Sequence, residues 1–328
     1  METKVFNNKR VVLIGGGTGN SVLLRTLKFY TQNISVIVSV GDDGGSSGLL
    51  RREMGTIPPG DIRNCLVALA DEENIMAEVM DTRFTHGLLK TQSLGNLILV
   101  ALSNITGSFP MAIKKAGQIL AIKGKVYPVS TEKIELVAKY ANGKLIRGES
   151  KIGGYGAKHH LAIDRIMIEP KGAPVFTECI NAIMRADYII YSPGSLYTSL
   201  IPNLLVDGIC DALEETSATR IYLPNIMTEH GETDGYNVSA FIEAIEKHSG
   251  GKRIIDKVIY NTQPIPENIK VRYKSEGAEP VDSGISEEHK SRYEFTGLDL
   301  ADYSTGVVRH DSKVVWEHIF GTVKKDQI

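Results

Sequence analysis

Cysteine is scarce in this 328-residue chain, and its three copies are scattered at Cys65, Cys179 and Cys210. Thiols this far apart, each in an apolar context, make neither a disulfide framework nor a zinc site and read as buried thiols. No apolar run approaches the roughly 18 residues of a membrane span, so no membrane partner is expected. The opening segment Met1–Arg10 lacks the apolar stretch of a signal peptide, and the expected location is the cytoplasm. Charge of one sign is missing as well. Thirty-seven basic residues against 39 acidic ones leave a net charge of −2, without the basic surplus of a nucleic-acid partner. Internal repeats, low-complexity tracts and a clear linker are also absent. Length alone suggests roughly two domains.

What is present is an alternation of strands and helices, the signature of an α/β fold. Val11–Ile14, Ile34–Val40, Lys125–Val129, Ile163–Glu169, Tyr188–Tyr191, Arg220–Leu223 and Lys257–Tyr260 read as strands. Helical spacing marks Asn20–Tyr30, Gly60–Ala70, Leu94–Asn104, Pro110–Leu120, Phe176–Arg185, Asp207–Ser217 and Val238–His248. Lys313–Val323 resembles an amphipathic helix carrying the single tryptophan, Trp316. Ile134–Arg147 reads as a hairpin turning at Asn142–Gly143, inside a β-rich insertion at about residues 125–170. The polar stretch Lys274–Glu288 is expected as a long loop or lid. One doubly wound core over residues 1–328 with these insertions and a two-domain arrangement both fit the pattern.

The chemistry concentrates in loops that follow strands. D-D-G-G-S-S-G at Asp42–Gly48 is a poor helix and too polar for a core. Asp42 and Asp43 offer oxygen ligands to a hard divalent cation such as magnesium. Ser46 and Ser47 add hydroxyl donors, and the glycines allow close backbone approach. G-G-G-T-G at Gly15–Gly19 lies between a strand and a helix, where backbone N–H groups and the helix dipole favour an anion. It is no Walker loop, since no G-K-[ST] follows, and a dinucleotide fingerprint would need glycine at Asn20. A plain tight turn, with Thr18 or Asn20 capping the helix, is the alternative.

P-P-G-D-I-R-N places Asp61, Arg63 and Asn64 at a helix opening, where Arg63 could pair bidentately with phosphate. Solvated Arg63 above a capping Asp61 competes equally. Asn96, in S-L-G-N after Ser93, is a donor or a cap. Gly194 and Ser195 in S-P-G-S-L-Y-T-S form a second edge loop, and P-N-I-M-T-E-H-G-E-T-D-G a third, with Asn225 as its candidate contact and Thr228 beside it. Open α/β sheets bind ligands at that edge. Tyr197 is a base-stacking candidate or a core tyrosine. His159–His160 reads as a solvated loop rather than a metal site.

These motifs, in this order from Gly15 to Thr233 and with R-H-D at Arg309–Asp311, resemble the bacterial gluconeogenesis factors (YvcK-like), relatives of the 2-phospho-L-lactate transferases. The resemblance implies a Rossmann-like α/β core with a mainly parallel sheet and helices on both faces. It also implies a cytosolic role in cell shape and in growth on gluconeogenic carbon sources. The implied ligand is a UDP-sugar such as UDP-N-acetylglucosamine. Carried over by position, Gly16, Gly17, Thr18 and Gly19 contact phosphate or nucleotide, Asp42 and Asp43 hold the transferases' metal, and Tyr273 and Arg309 contact a UDP-sugar. The chain departs from the pattern at Thr91–Gln92, where the family has Gly-His. It departs again at Glu229–His230, where the family has Gln-Pro, so the roles of Gln92, Glu229 and His230 are open. A nucleotide-sugar-binding regulator is the first functional expectation. A metal-dependent transferase of a phosphorylated group is the second, weakened by the lack of an evident general base. A pocket that only docks a partner protein is the third. A homo-oligomer is compatible with all three.

Overall fold

Seven short runs rich in β-branched residues align as one parallel sheet in a computed structural model that describes residues 8–71 and 74–321. In chain order the strands are β1 (Val11–Gly15), β2 (Ile34–Val38), β3 (Lys125–Pro128), β4 (Glu135–Tyr140), β5 (Leu145–Arg147) and β6 (Ile163–Glu169). They continue with β7 (Tyr188–Tyr191), β8 (Thr219–Tyr222), β9 (Lys257–Asn261), β10 (Glu294–Leu298), β11 (Ala301–Asp302) and β12 (Arg309–His310). The main sheet runs β3-β2-β1-β7-β8-β9-β10, and each neighbouring pair is parallel. A parallel sheet has both faces covered, so its strands read as unbroken apolar runs rather than alternating ones. Leu13, Ile14, Ile37, Val38 and Ile190 are accordingly fully buried.

The helices that matter for the site are α1 (Gly17–Leu27), α2 (Gly45–Met54), α3 (Gly60–Leu69), α4 (Ile75–Asp81), α5 (Leu94–Thr106), α6 (Phe109–Ile119) and α7 (Glu149–His159). α1 packs on α3 and on the last helix, Ser312–Phe320. There the buried Trp316 donates its indole N–H to the Leu23 carbonyl at 3.0 Å. The hairpin forms as expected, with Gly143 at φ +82° in its turn. β6 then pairs antiparallel with β4 to make a small three-stranded sheet.

Several boundaries differ from the sequence reading for physical reasons. Lys125–Pro128 pairs with β2 in the main sheet, so the β-rich insertion begins after it. α1 starts at Gly17, three residues before Asn20, because the glycine loop is itself the first helical turn. The D-D-G-G-S-S-G loop is half helix. From Gly45 it continues into α2, where Ser46, Ser47 and Gly48 are buried. Residues 149–159 carry three glycines, yet they form α7, held from outside by packing. The stretch Lys274–Glu288 is no free lid. Helix Glu267–Ser275 takes its start, Glu287–Arg292 its end, and backbone bonds Thr228 N–H to Glu279 O and Val281 N–H to Ile226 O lace its middle down. Residues 322–328, including the end of the helix expected to reach Val323, lie outside the described residues, as do residues 1–7. Cys65 and Cys179 are buried, Cys210 is half-buried, and all three are free thiols. Among the described residues no helix is long and apolar enough to cross a membrane.

Candidate functional site

Strand order reverses between β1 and β7, and the turns that leave these two neighbouring strands must diverge. That divergence opens a crevice at the carboxyl edge of the sheet, where doubly wound folds take ligands. Here it is a cleft of about 440 Å³ lined by the glycine loop, the Pro193–Ser195 loop, the Asn225–Glu232 loop and the Tyr273/Arg309 side.

One wall is the start of α1. Gly16 occupies the cap position and has no side chain, and the Gly17 N–H donates to the Asp61 carboxyl, so the first-turn N–H groups of Thr18 and Gly19 face the cleft with the positive end of the helix dipole. Three glycines are needed here because two other segments press against the turn. A Cβ on Gly16 would lie 2.7 Å from Ser199 Oγ, and one on Gly17 would lie 2.5 Å from Asp61 Cα.

A second wall is acidic. Asp61 lines the cleft, and burial followed by the Asp42 charge pushes its carboxyl up to about 6, against an opposing backbone bond from Gly17. Glu149, the first residue of α7, is pushed up to about 7, chiefly by burial and then by Asp42, Asp43 and Asp61. Glu229 and Glu232 are both raised chiefly by burial, Glu232 further by the Glu229 charge, against opposing hydrogen bonds from Ser195. Ser195 Oγ donates to Glu232 Oε2 at 2.5 Å, and Thr198 Oγ1 donates to Ser195 Oγ at 2.7 Å. Glu229 Oε2 is buried and has no hydrogen-bond partner among the described residues.

The third wall comes from the far end of the chain. Helix Glu267–Ser275 presents Tyr273, whose hydroxyl accepts the Val308 N–H at 2.8 Å, with the Arg272 guanidinium 5.2 Å from its ring centre. β12 presents Arg309, half-buried and without an ion-pair partner among the described residues. The adjacent His310 is buried, directs Nε2 at the Pro224 carbonyl at 3.1 Å, and is lowered to about 4 by desolvation, so it stays neutral.

The structure therefore brings Gly16, Gly17, Thr18, Gly19, Asp61, Gly194, Ser195, Asn225, Tyr273 and Arg309 to one cleft. The others serve the frame around it. Asn225 spends its amide on the edge loop, accepting from Gly194 N–H at 2.8 Å and donating to Gly194 O at 2.9 Å. Asn20 is buried and accepts from Ser192 Oγ, tying α1 to the end of β7. Arg63 turns away from the cleft: its guanidinium donates to Asp81 at 3.0 Å and to Asn64 Oδ1 at 2.6 Å. Arg63, the expected phosphate contact, is thus engaged with α4 and with Asn64, the other candidate at this helix opening.

Ser46 donates to Gln92 Oε1 at 2.9 Å and accepts from Asn96 Nδ2 at 3.1 Å, a buried link between α2 and α5 that gives Gln92 a structural place. Ser47 Oγ accepts the Gly60 N–H at 3.0 Å, fixing the start of α3. His230 pairs with Asp234 at the surface. His159 ends α7 and lies 4.3 Å from the Tyr155 ring, with His160 in the left-handed conformation beyond it. Tyr197 is a core residue bonded to the Tyr236 hydroxyl at 2.6 Å.

The acidic pair divides. Asp42 is raised chiefly by burial and accepts the Gly44 N–H at 2.8 Å. Asp43 Oδ1 accepts the Ser150 N–H at 2.8 Å and so anchors the start of α7. Among the described residues no three carboxylate, histidine or cysteine groups approach closely enough to chelate a metal. A surplus of mutually repelling carboxylates still suits a hard cation held by one or two of them, with phosphate oxygens and water supplying the remaining ligands. Sequence reading missed Glu149 because nothing marks it except the preceding Gly148, at φ +95°. Glu232 lay within a quoted motif, and only its burial beside Ser195 singles it out.

The family model described as 2-phospho-L-lactate transferase CofD matches residues 11–298. A relative in Thermoanaerobacterium thermosulfurigenes, with a gluconeogenesis-factor name, is 45% identical over 319 residues, covering 97% of this chain and 98% of that one. The gluconeogenesis factor of Bacillus subtilis is 41% identical over 307 residues, covering 93% and 95%. The crystal structure of a UPF0052-family protein from Bacillus halodurans superposes with a TM-score of 0.90 at 40% identity, covering 95% of this chain and all of the other. Matched along almost its whole length, this chain belongs to the CofD family, among its gluconeogenesis-factor members.

Proposed function

We propose that the cleft binds a nucleoside diphosphate sugar of the UDP-N-acetylglucosamine type. On this reading the protein is a cytosolic regulator of cell morphology and of growth on gluconeogenic carbon sources. The observation that carries this reading is the meeting in one cleft of the helix start at Gly16–Gly19, where Thr18 and Gly19 present backbone N–H groups, with Tyr273 and with Arg309, which makes no ion pair among the described residues. A helix N-terminus and a guanidinium together suit a diphosphate. An aromatic ring beside them suits a base or a sugar face. Calorimetry with UDP-N-acetylglucosamine, with and without magnesium, tests it. Micromolar binding that is independent of metal, with no product formed, supports the regulator. Absence of binding to any nucleotide sugar removes this reading.

A metal-dependent transferase is the second reading, favoured by the CofD match and by the Asp42, Asp61 and Glu149 carboxylates near the glycine loop. A magnesium ion there would neutralise charge on the group in transit. Asp42→Asn combined with Asp43→Asn should then abolish turnover, whereas full activity in that variant would exclude the metal role.

A further inference from the structure

The cleft is chemically two-ended. At α1 and Arg309 it offers donors and positive charge, and at Glu229, Glu232 and Glu149 it offers a cluster of carboxyl groups. A phosphate is attracted to the first end and meets no lysine or arginine in the lining beside the glutamates of the second. The part of a ligand that reaches the acidic end must therefore be uncharged, or nearly so, and rich in hydrogen-bond donors.

Glu229 makes the demand specific. The residue lines the cleft, and its buried Oε2 finds no hydrogen-bond partner among the described residues. A buried carboxyl oxygen without a donor carries a desolvation cost that the fold does not offset. The one hydroxyl that reaches the Glu229 carboxyl, that of Ser195, is shared with Glu232. Glu232 Oε2 already takes the Ser195 hydroxyl, and the Thr198 hydroxyl is directed at Ser195. Thr228 Oγ1 accepts the Glu279 N–H at 2.9 Å. The surrounding backbone is rigid: a Cβ on Gly156 would lie 2.0 Å from Gly231 O, and one on Gly153 would lie 3.2 Å from Glu232 Oε1. α7 therefore clamps the loop that carries both glutamates.

We propose that Glu229, with Glu232 and Ser195, forms a second subsite that accepts hydrogen bonds from the hydroxyl groups of the ligand's non-phosphorylated end. The subsite thereby selects a nucleoside diphosphate joined to a polyol over the bare diphosphate. The inference rests on the nucleotide-sugar reading above and assigns its sugar end.

Calorimetry of the wild type, Glu229→Gln and Glu229→Ala with UDP, UDP-glucose and UDP-N-acetylglucosamine separates the two. The wild type should bind a UDP-sugar at least about tenfold more tightly than UDP, as one or two well-placed hydrogen bonds to a charged acceptor provide. In Glu229→Ala the loss for the sugar conjugates should exceed the loss for UDP by about tenfold, with Glu229→Gln between. The ligand-free melting temperature of Glu229→Gln should equal or exceed that of the wild type, since the buried carboxyl oxygen without a donor is gone. A wild type that binds UDP and its sugars equally, or variants that lose both equally, overturn the subsite and leave the nucleotide reading standing. A marked fall in the ligand-free melting temperature of Glu229→Gln would place the carboxyl in the service of the fold and overturn it too. A wild type that binds no nucleotide removes both readings.

Discussion

The carbonyl oxygen of Pro193 lies 1.6 Å from the position a Cβ would occupy on Gly19. The two loops that leave β1 and β7 thus touch backbone to backbone, and the cleft floor is built from that contact. Gly19→Ala should force the loops apart, because the obstacle is main chain and no rotamer change relieves it. Overpacking of this kind costs about 3 kcal/mol. Urea denaturation should show that loss together with weakened nucleotide binding. A loss below about 1 kcal/mol would mean that the loops are not held in register by this contact.

Stability of the ligand-free protein should fall as pH rises through the neutral range. Asp61 at about 6 and Glu149 at about 7 hold their protons more tightly folded than unfolded, where carboxyls titrate near 4. Asp42, Glu229 and Glu232 shift in the same direction. For a raised carboxyl the unfolded chain binds fewer protons between the two values, so unfolding becomes easier with each step up in pH. The effect is absent below about pH 4, is largely complete for Asp61 and Glu149 by about pH 8, and continues through that value for Glu232, which is raised to about 8. Glu149→Gln removes one contributor. It should raise stability at pH 8 by on the order of 1 kcal/mol and leave it nearly unchanged at pH 4. Denaturant melts at the two pH values check the sign.

Much of this was legible in the sequence, because loops that follow strands in an α/β chain all lie on one edge of the sheet. The positions of G-G-G-T-G and S-P-G-S therefore fixed a common site before any contact was known. Side-chain direction was not legible. Arg63 looked like a phosphate ligand, yet α4 places Asp81 3.0 Å from it, and that neighbour is 18 residues away in the chain. α7 was hidden for a related reason. Its glycines lower helix propensity, and the close approach of Gly156 to Gly231 O that requires them is a tertiary fact.

Arg309→Ala should leave the fold intact and weaken binding. The guanidinium makes no ion pair among the described residues, so nothing in the frame depends on it. Loss of a charged hydrogen-bond donor to a diphosphate corresponds to about 1.5–3 kcal/mol, or roughly 10- to 100-fold in affinity for UDP. Arg309→Lys should recover only part, because a point charge replaces a planar fork. Calorimetry with UDP reads both variants, and unchanged affinity in Arg309→Ala would remove Arg309 from the site.

Asp43 distinguishes an anchor from a metal ligand. Its carboxylate accepts the Ser150 N–H at 2.8 Å, one residue beyond Glu149, so it sets where α7 begins and where the Glu149 carboxyl sits. Asp43→Ala should cost about 1 kcal/mol, the usual loss when a helix start is deprived of its acceptor. Asp43→Asn keeps an oxygen in place and should lose much less. Hydrogen exchange should quicken at the start of α7 in the alanine variant and hardly change in the asparagine one. A metal ligand predicts the opposite pattern. Both substitutions would then weaken nucleotide binding similarly, only when magnesium is present, and exchange in α7 would stay as in the wild type. The alanine and asparagine variants, measured with and without magnesium, therefore assign Asp43 to the helix or to the ion.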